Sequence, residues 1–173
     1  MGRHIYWDQR FRVPFRAVNR RGGKGHDPAM QRHHLLPRQL LNRRCFGSRF
    51  AVLGRERIGF DDFRINGMLL PCSEKAAQRT ALPLHRGPHR DYNSMVIERV
   101  GEIEARWAAL RLSDRETAGR AAIDQLHALQ KALRRQLLDD TRPITLNRKD
   151  PLGAGVDFSE LDEMAEVLWA AAA

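Results

Sequence analysis

Apolar residues recur at spacings of three and four through the second half of the chain, at Tyr92, Val96, Val100, Ile103, Trp107 and Leu110, then at Ala122, Leu126, Leu129, Leu133 and Leu137. That is the period of one buried face of an α-helix, so the pattern predicts two long amphipathic helices. Gly87-Pro88 announces the first, because proline is tolerated at the first helical position. Ser113 with Glu116 reads as a capping box for the second. A link of only two or three residues should make the pair pack antiparallel. A further, acidic helix is predicted over residues 157–169, with Phe158, Leu161, Met164, Ala165 and Leu168 on one face.

The first half carries shorter patterns. Residues 30–36 read as a strand ended by Pro37, and residues 38–44 as one or two helical turns. Residues 50–52 and 58–60 are short strand candidates. Two apolar runs, 63–65 and 68–70, flank Asn66-Gly67, the dipeptide best suited to a type I′ turn, and predict a hairpin. Residues 73–79 suit a short helix or loop. Residues 1–29, with Gly22-Gly23-Lys24-Gly25, read as a basic arm. Ile5, Tyr6, Trp7, Phe11, Val13 and Phe15 are too apolar for all of it to stand free. The glycine run lacks the spacing of a phosphate loop. The expected organisation is an arm over 1–29, a core over 30–112 and a C-terminal helical extension over 113–173, packed as one compact unit of the α+β class.

Composition changes this picture in two ways. At 173 residues and 42% hydrophobic the chain can build one real core, and no apolar run approaches the length of a membrane span. Residues 1–21 are basic without an apolar stretch, so no ordinary secretory signal is expected. Cys45 and Cys72 match no zinc spacing and read as buried free thiols. The net charge of +9 is uneven: residues 1–57 hold 14 Lys/Arg against 3 Asp/Glu. Genomic base bias explains arginine over lysine but not this asymmetry. Such a stretch binds phosphate backbones with salt-sensitive, sequence-independent affinity.

Four of the seven histidines fall in two tight groups, His33-His34 and His85-x-x-x-His89. Adjacent histidines on a strand point to opposite faces, so one can ligate a metal while its neighbour serves another role. His85 and His89 at a helix start can turn toward one point, where the helix N-terminus also suits phosphate. The expected assignment is His33, His85 and His89 on one divalent metal, with His34 neutral as general base. Asn66 would orient His34 through a side-chain hydrogen bond. Arg32, Arg38, Arg86 and Arg90 flank these motifs as candidate nucleic-acid contacts. Three imidazoles without a carboxylate suit zinc, nickel or manganese as well as magnesium. His4, His26 and His127 have no partner at ligand spacing.

The run from His33 to Asn93 resembles the AHH nucleases, a toxin branch of the HNH, or ββα-metal, superfamily. The resemblance rests on His33-His34-Leu35-Leu36-Pro37, on Asn66-Gly67-Met68-Leu69-Leu70-Pro71, and on His85-Arg86-Gly87-Pro88-His89-Arg90-Asp91-Tyr92-Asn93. It covers roughly residues 30–110. The order of these motifs is also similar to that of the nuclease domains of DNA-cutting colicins. Arg32 stands where the family has a small residue. The resemblance implies a ββα-metal nuclease core of short strands and a long helix. It also implies a metal-dependent endonuclease, DNA favoured over RNA, acting as a toxin between bacteria. Such a protein would be made in the bacterial cytoplasm, exported by a specialised system, active in the cytoplasm of a target cell, and neutralised by an acidic immunity protein. The competing readings are an RNase of the same fold, a non-catalytic basic nucleic-acid-binding protein with a structural metal, and an adaptor working through its C-terminal helices. Structural zinc sites are usually four-coordinate and cysteine-rich, which this set is not.

Overall fold

The computed structural model describes residues 12–42, 46–139, 141, 144–146 and 150–152. The chain before residue 12, Cys45 and the helix expected over 157–169 lie outside the described residues. Strand β1 (Met30–His34) is followed by helices α1 (Gly47–Leu53) and α2 (Phe63–Asn66), strand β2 (Gly67–Pro71), and helices α3 (Glu74–Thr80), α4 (Arg90–Leu110) and α5 (Arg115–Leu138). The architecture is α+β, with a small antiparallel sheet in which Met30 faces Pro71 and His34 faces Gly67. No helix among the described residues is long and apolar enough to cross a membrane.

The two periodic segments form the helices that their spacing predicts. α4 buries Tyr92, Met95, Val96, Val100, Ile103 and Trp107, while Leu110 at its end is exposed. α5 buries Ala122, Leu126, Leu129, Leu133 and Leu137, and the two helices pack together after a short link. Their facing residues join Leu35, Leu36, Leu40, Phe60 and Leu70 in one continuous core. Each fully buried leucine contributes roughly 1.5–3 kcal/mol relative to exposure. The cap of α5 falls one residue later than the capping box suggests. Asp114 accepts from the amides of Glu116 (3.1 Å) and Thr117 (3.0 Å), whereas Ser113 donates its hydroxyl back to Leu110 O (2.9 Å). Ser73 caps α3.

The expected hairpin about Asn66-Gly67 does not form. Phe63–Asn66 is a single helical turn capped by Asp62, and Gly67 has φ −118° and ψ 152°, extended rather than turning. Strand β2 therefore begins at Gly67 and pairs with β1. The physical reason is that the buried Asn66 carboxamide bonds to the backbone of Leu36 and Phe60 instead of forming a turn. Nor are residues 50–52 a strand. Phe50 and Leu53 share the inward face of α1, and the intervening Val52 is 58% exposed. Ile58, Gly59 and Phe60 are consecutively buried in a turn, with Gly59 at φ +66°. Residues 38–41 make a short 3-10 turn. Cys72 is a free thiol, but partly exposed rather than buried.

The described part of the basic arm is docked on the domain. Phe63 N donates to Val13 O at 2.7 Å, and Val13 N donates to Asp62 Oδ1 at 3.3 Å. Pro14 and Asp62 form an isolated β-bridge.

Gly67 is needed for lack of bulk rather than for its backbone angles. A Cβ there would collide with the Phe63 ring and come within 2.7 Å of Phe63 O. Overpacking of this kind costs about 1–3 kcal/mol. Gly67→Ala should lower the urea midpoint accordingly without changing its slope, and a wild-type midpoint would refute the clash.

Candidate active site

Strand alternation sorts the end of β1 into two faces. Gln31 and His33 share one, Arg32 and His34 the other. His33 is 2% exposed, and its ring centroid lies 5.0 Å from that of His85 and 5.3 Å from that of His89. The rings of His85 and His89 are 4.6 Å apart. One potential ligand nitrogen from each of the three lies within 4.8 Å of the other two. Backbone geometry brings them together. His85 N donates to Pro71 O at 2.7 Å, docking the loop on the end of β2. His89, four residues on, is the N-cap residue of α4, and its side chain makes no capping bond. Tyr92, in the first turn of that helix, backs the cluster with its ring 5.0 Å from that of His33.

Two ring nitrogens of the cluster, His33 Nε2 and His89 Nδ1, are buried without a hydrogen-bond partner. Orphaned buried polar atoms are costly, and a cation at their common focus would satisfy them. His85 Nδ1 lies 3.2 Å from Gln31 Oε1. That oxygen only accepts, so Nδ1 carries the proton and Nε2 keeps its lone pair, the outer-shell arrangement typical of ligating histidines. Burial holds His33 well below the ordinary imidazole value, helped by the charges of His85, His89 and His34. Burial, with His89 and His34, brings His85 down to about 4, and burial also lowers His89. All three are thus neutral at physiological pH, the form that binds metal. The donor set fits a divalent ion that accepts nitrogen ligands.

His34 lies on the other face, outside the cluster. Its ring stacks on Phe15 with centroids 3.8 Å apart and planes 3° from parallel. Burial lowers its pKa to about 4, reinforced by Arg38 and Arg32 and opposed by Asp61. The bond expected between Asn66 and His34 is not made. Asn66 is fully buried; its Oδ1 accepts from Leu36 N (2.7 Å) and Gln130 Nε2 (3.3 Å), and its Nδ2 donates to Phe60 O (3.0 Å) and Leu36 O (3.3 Å). Asn66 O accepts from Leu35 N at 2.9 Å, and the Tyr92 hydroxyl donates to Leu35 O at 2.9 Å. Asn66 and Tyr92 therefore grip the two residues after His34, not the imidazole itself.

Of the four flanking arginines, all exposed, Arg32 donates Nη1 to Phe15 O at 2.9 Å. His127 lies on α5 and is not part of the cluster. Sequence reasoning missed Phe15, Gln31, Tyr92, Gln130 and Arg134 as parts of the site. Arg134, also on α5, donates to the carbonyls of Ile65 (3.2 Å) and Gly67 (2.9 Å) on either side of Asn66. The period-two step from His33 back to Gln31 was available as a signal. The α5 residues gave none, since a polar residue on a helix usually reads as solvated.

This geometry has two measurable outcomes. Asn66→Ala strands the Leu36 amide and two buried carbonyls, and should cost about 3 kcal/mol in urea unfolding, since one unsatisfied buried group costs about 1–3 kcal/mol. In chelated protein, His34 and His85 take up protons more readily unfolded (near 6.5) than folded (about 4). Stability should be fully present above about pH 6.5 and fall as pH drops toward 4. A flat urea midpoint across that window would show that these imidazoles are solvated rather than buried.

No curated protein and no solved structure matches the chain. The family model described as AHH, a nuclease family of the HNH/ENDO VII superfamily with conserved AHH, matches residues 14–133. By this match the chain belongs to the AHH family and is a nuclease, with nucleic acid as its substrate.

Proposed function

We propose that the chain is a metal-dependent endonuclease in which His33, His85 and His89 hold one divalent ion and His34 is the general base. The observation that carries this reading is the convergence of His85 and His89 on His33 at one face of β1, with two of the three imidazoles carrying an orphaned buried nitrogen, while the adjacent His34 is excluded from them. Nucleases of this superfamily typically use a divalent metal. The pair β1–β2 followed by α4, with the cluster between them, supports a ββα-metal arrangement of the core.

When bound, the ion would act as a Lewis acid on a phosphate oxygen and offset charge developing on the leaving oxygen. The chain's own residues do the rest. His34, kept neutral by burial and by Arg38, accepts a proton from a water molecule as that water attacks phosphorus. Asn66 and Tyr92 hold the peptide after His34 at a set distance from the cluster. Exposed Arg38, Arg86 and Arg90 lie beside the motifs, where they can neutralise backbone phosphates.

DNA is the favoured substrate, by resemblance to the colicin nuclease domains, with an RNase as the alternative. By the same resemblance the chain acts as a toxin between bacteria. It would be made in one bacterial cytoplasm, exported by a specialised system and active in another. The basic balance of residues 1–57 suits a small acidic immunity protein as partner.

Incubation of plasmid DNA and total RNA with the protein, with and without chelator, tests the reading. Chelator should abolish cutting. His34→Ala should reduce it by about 10²–10⁴-fold, the usual worth of a general base, while metal and DNA binding persist. Loss of metal binding in that variant would reverse the assignment of His34. Degradation of RNA alone would select the RNase. Wild-type protein that binds metal and DNA but cuts neither substrate would leave a structural metal as the reading.

A further inference from the structure

A general base works only if its nitrogen is aimed, and His34 has no hydrogen-bond partner among the described residues to aim it. Asn66 spends its whole carboxamide elsewhere. What His34 does have is Phe15, lying face to face with it at 3.8 Å and within 3° of parallel. At that separation, turning the imidazole out of its plane would drive a ring edge into the phenyl face. The stack thus restricts the one torsion that a hydrogen bond would otherwise restrict.

Phe15 is in turn held by contacts that do not involve the His34 ring. Phe63 meets it edge-on, with centroids 5.1 Å apart at 77°. Its carbonyl accepts from Arg32 Nη1 at 2.9 Å, and Val13, two residues before it, is tied to Phe63 N and to Asp62. Asp62 is itself buried and fixed by Arg64 at 2.8 Å. Arg32 and His34 share one face of β1, two residues apart, so a single strand face binds both the backbone and the ring of Phe15. Arg32, which replaces the alanine of the family's conserved AHH, is one of the anchors.

We propose that Phe15 is a positioning residue: its ring, clamped between α2 and β1, sets the plane in which His34 presents a nitrogen to the attacking water. The proposal rests on the reading of His34 as the base. Loss of alignment at a reacting group, even from outside the chemistry, can cost on the order of 10²-fold in rate.

The test compares steady-state plasmid cleavage by wild type, Phe15→Ala, Phe15→Leu, Phe15→Tyr and His34→Ala in the metal-loaded protein. Thermal melts and metal titration accompany each variant. Phe15→Leu keeps apolar bulk but has no flat face. It should lower kcat about 10–100-fold with KM for DNA and metal affinity unchanged, as should Phe15→Ala. Phe15→Tyr, which keeps the ring, should restore kcat. The ring protons of His34 should be shifted upfield in the wild-type NMR spectrum and lose that shift in Phe15→Leu. If Phe15→Ala does not fold, the Leu and Tyr pair carries the comparison. A Leu variant with wild-type kcat, or one whose loss follows its melting temperature alone, overturns the positioning role. If His34→Ala is inactive while Phe15→Leu cuts normally, only this proposal fails. If His34→Ala cuts normally, the assignment of the base fails first and this proposal falls with it.

Discussion

A slip of β1 by one residue against β2 would exchange the two faces of the strand, moving His34 into the cluster and His33 onto Phe15. The register His33↔Met68, His34↔Gly67 is therefore the constraint on which the site depends. Among the described residues the sheet has one pair of strands, too little to hold register by ladder hydrogen bonds alone. The residues flanking the His34–Gly67 end of the ladder hold it instead. Leu35 and Leu36 are fully buried, and their amides are bonded to the main-chain and side-chain oxygens of Asn66.

That corner is where the helical half of the molecule meets the histidine half. Gln130 donates to Ile58 O and to Asn66 Oδ1, and Arg134 reaches the carbonyls flanking Asn66. Burial lowers the Arg134 pKa, so the cation is partly desolvated to make these bonds. Helix α5 thus contributes more than apolar bulk. It supplies polar partners to a residue that no water can reach, and an unmet group there would cost more than a surface bond returns.

The long helices were legible because amphipathic spacing over many turns averages out local exceptions. The histidine cluster was legible because adjacent residues on a strand must diverge, and because two histidines four apart at a helix start can converge. Asn66-Gly67 misled for a clear reason. The same dipeptide favours a turn when exposed and serves as a hydrogen-bond hub when buried, and burial cannot be read from a handful of neighbouring letters. Phe15 lies 19 positions before His34 in a stretch without periodicity, so nothing local connects the two rings. Helix starts shifted by one residue at Asp114 and by two at His89, because several neighbouring residues can each serve as a cap.

The family match begins at residue 14, inside what composition marks as a basic arm. The docking of Val13–Phe15 on α2 gives that boundary a physical basis. It also bears on how His34 would recover between reaction cycles. A ring gripped through its flat side, with both nitrogens clear of protein partners among the described residues, keeps its titrating rim open. Such a group would release an acquired proton without any bond among the described residues having to break and re-form.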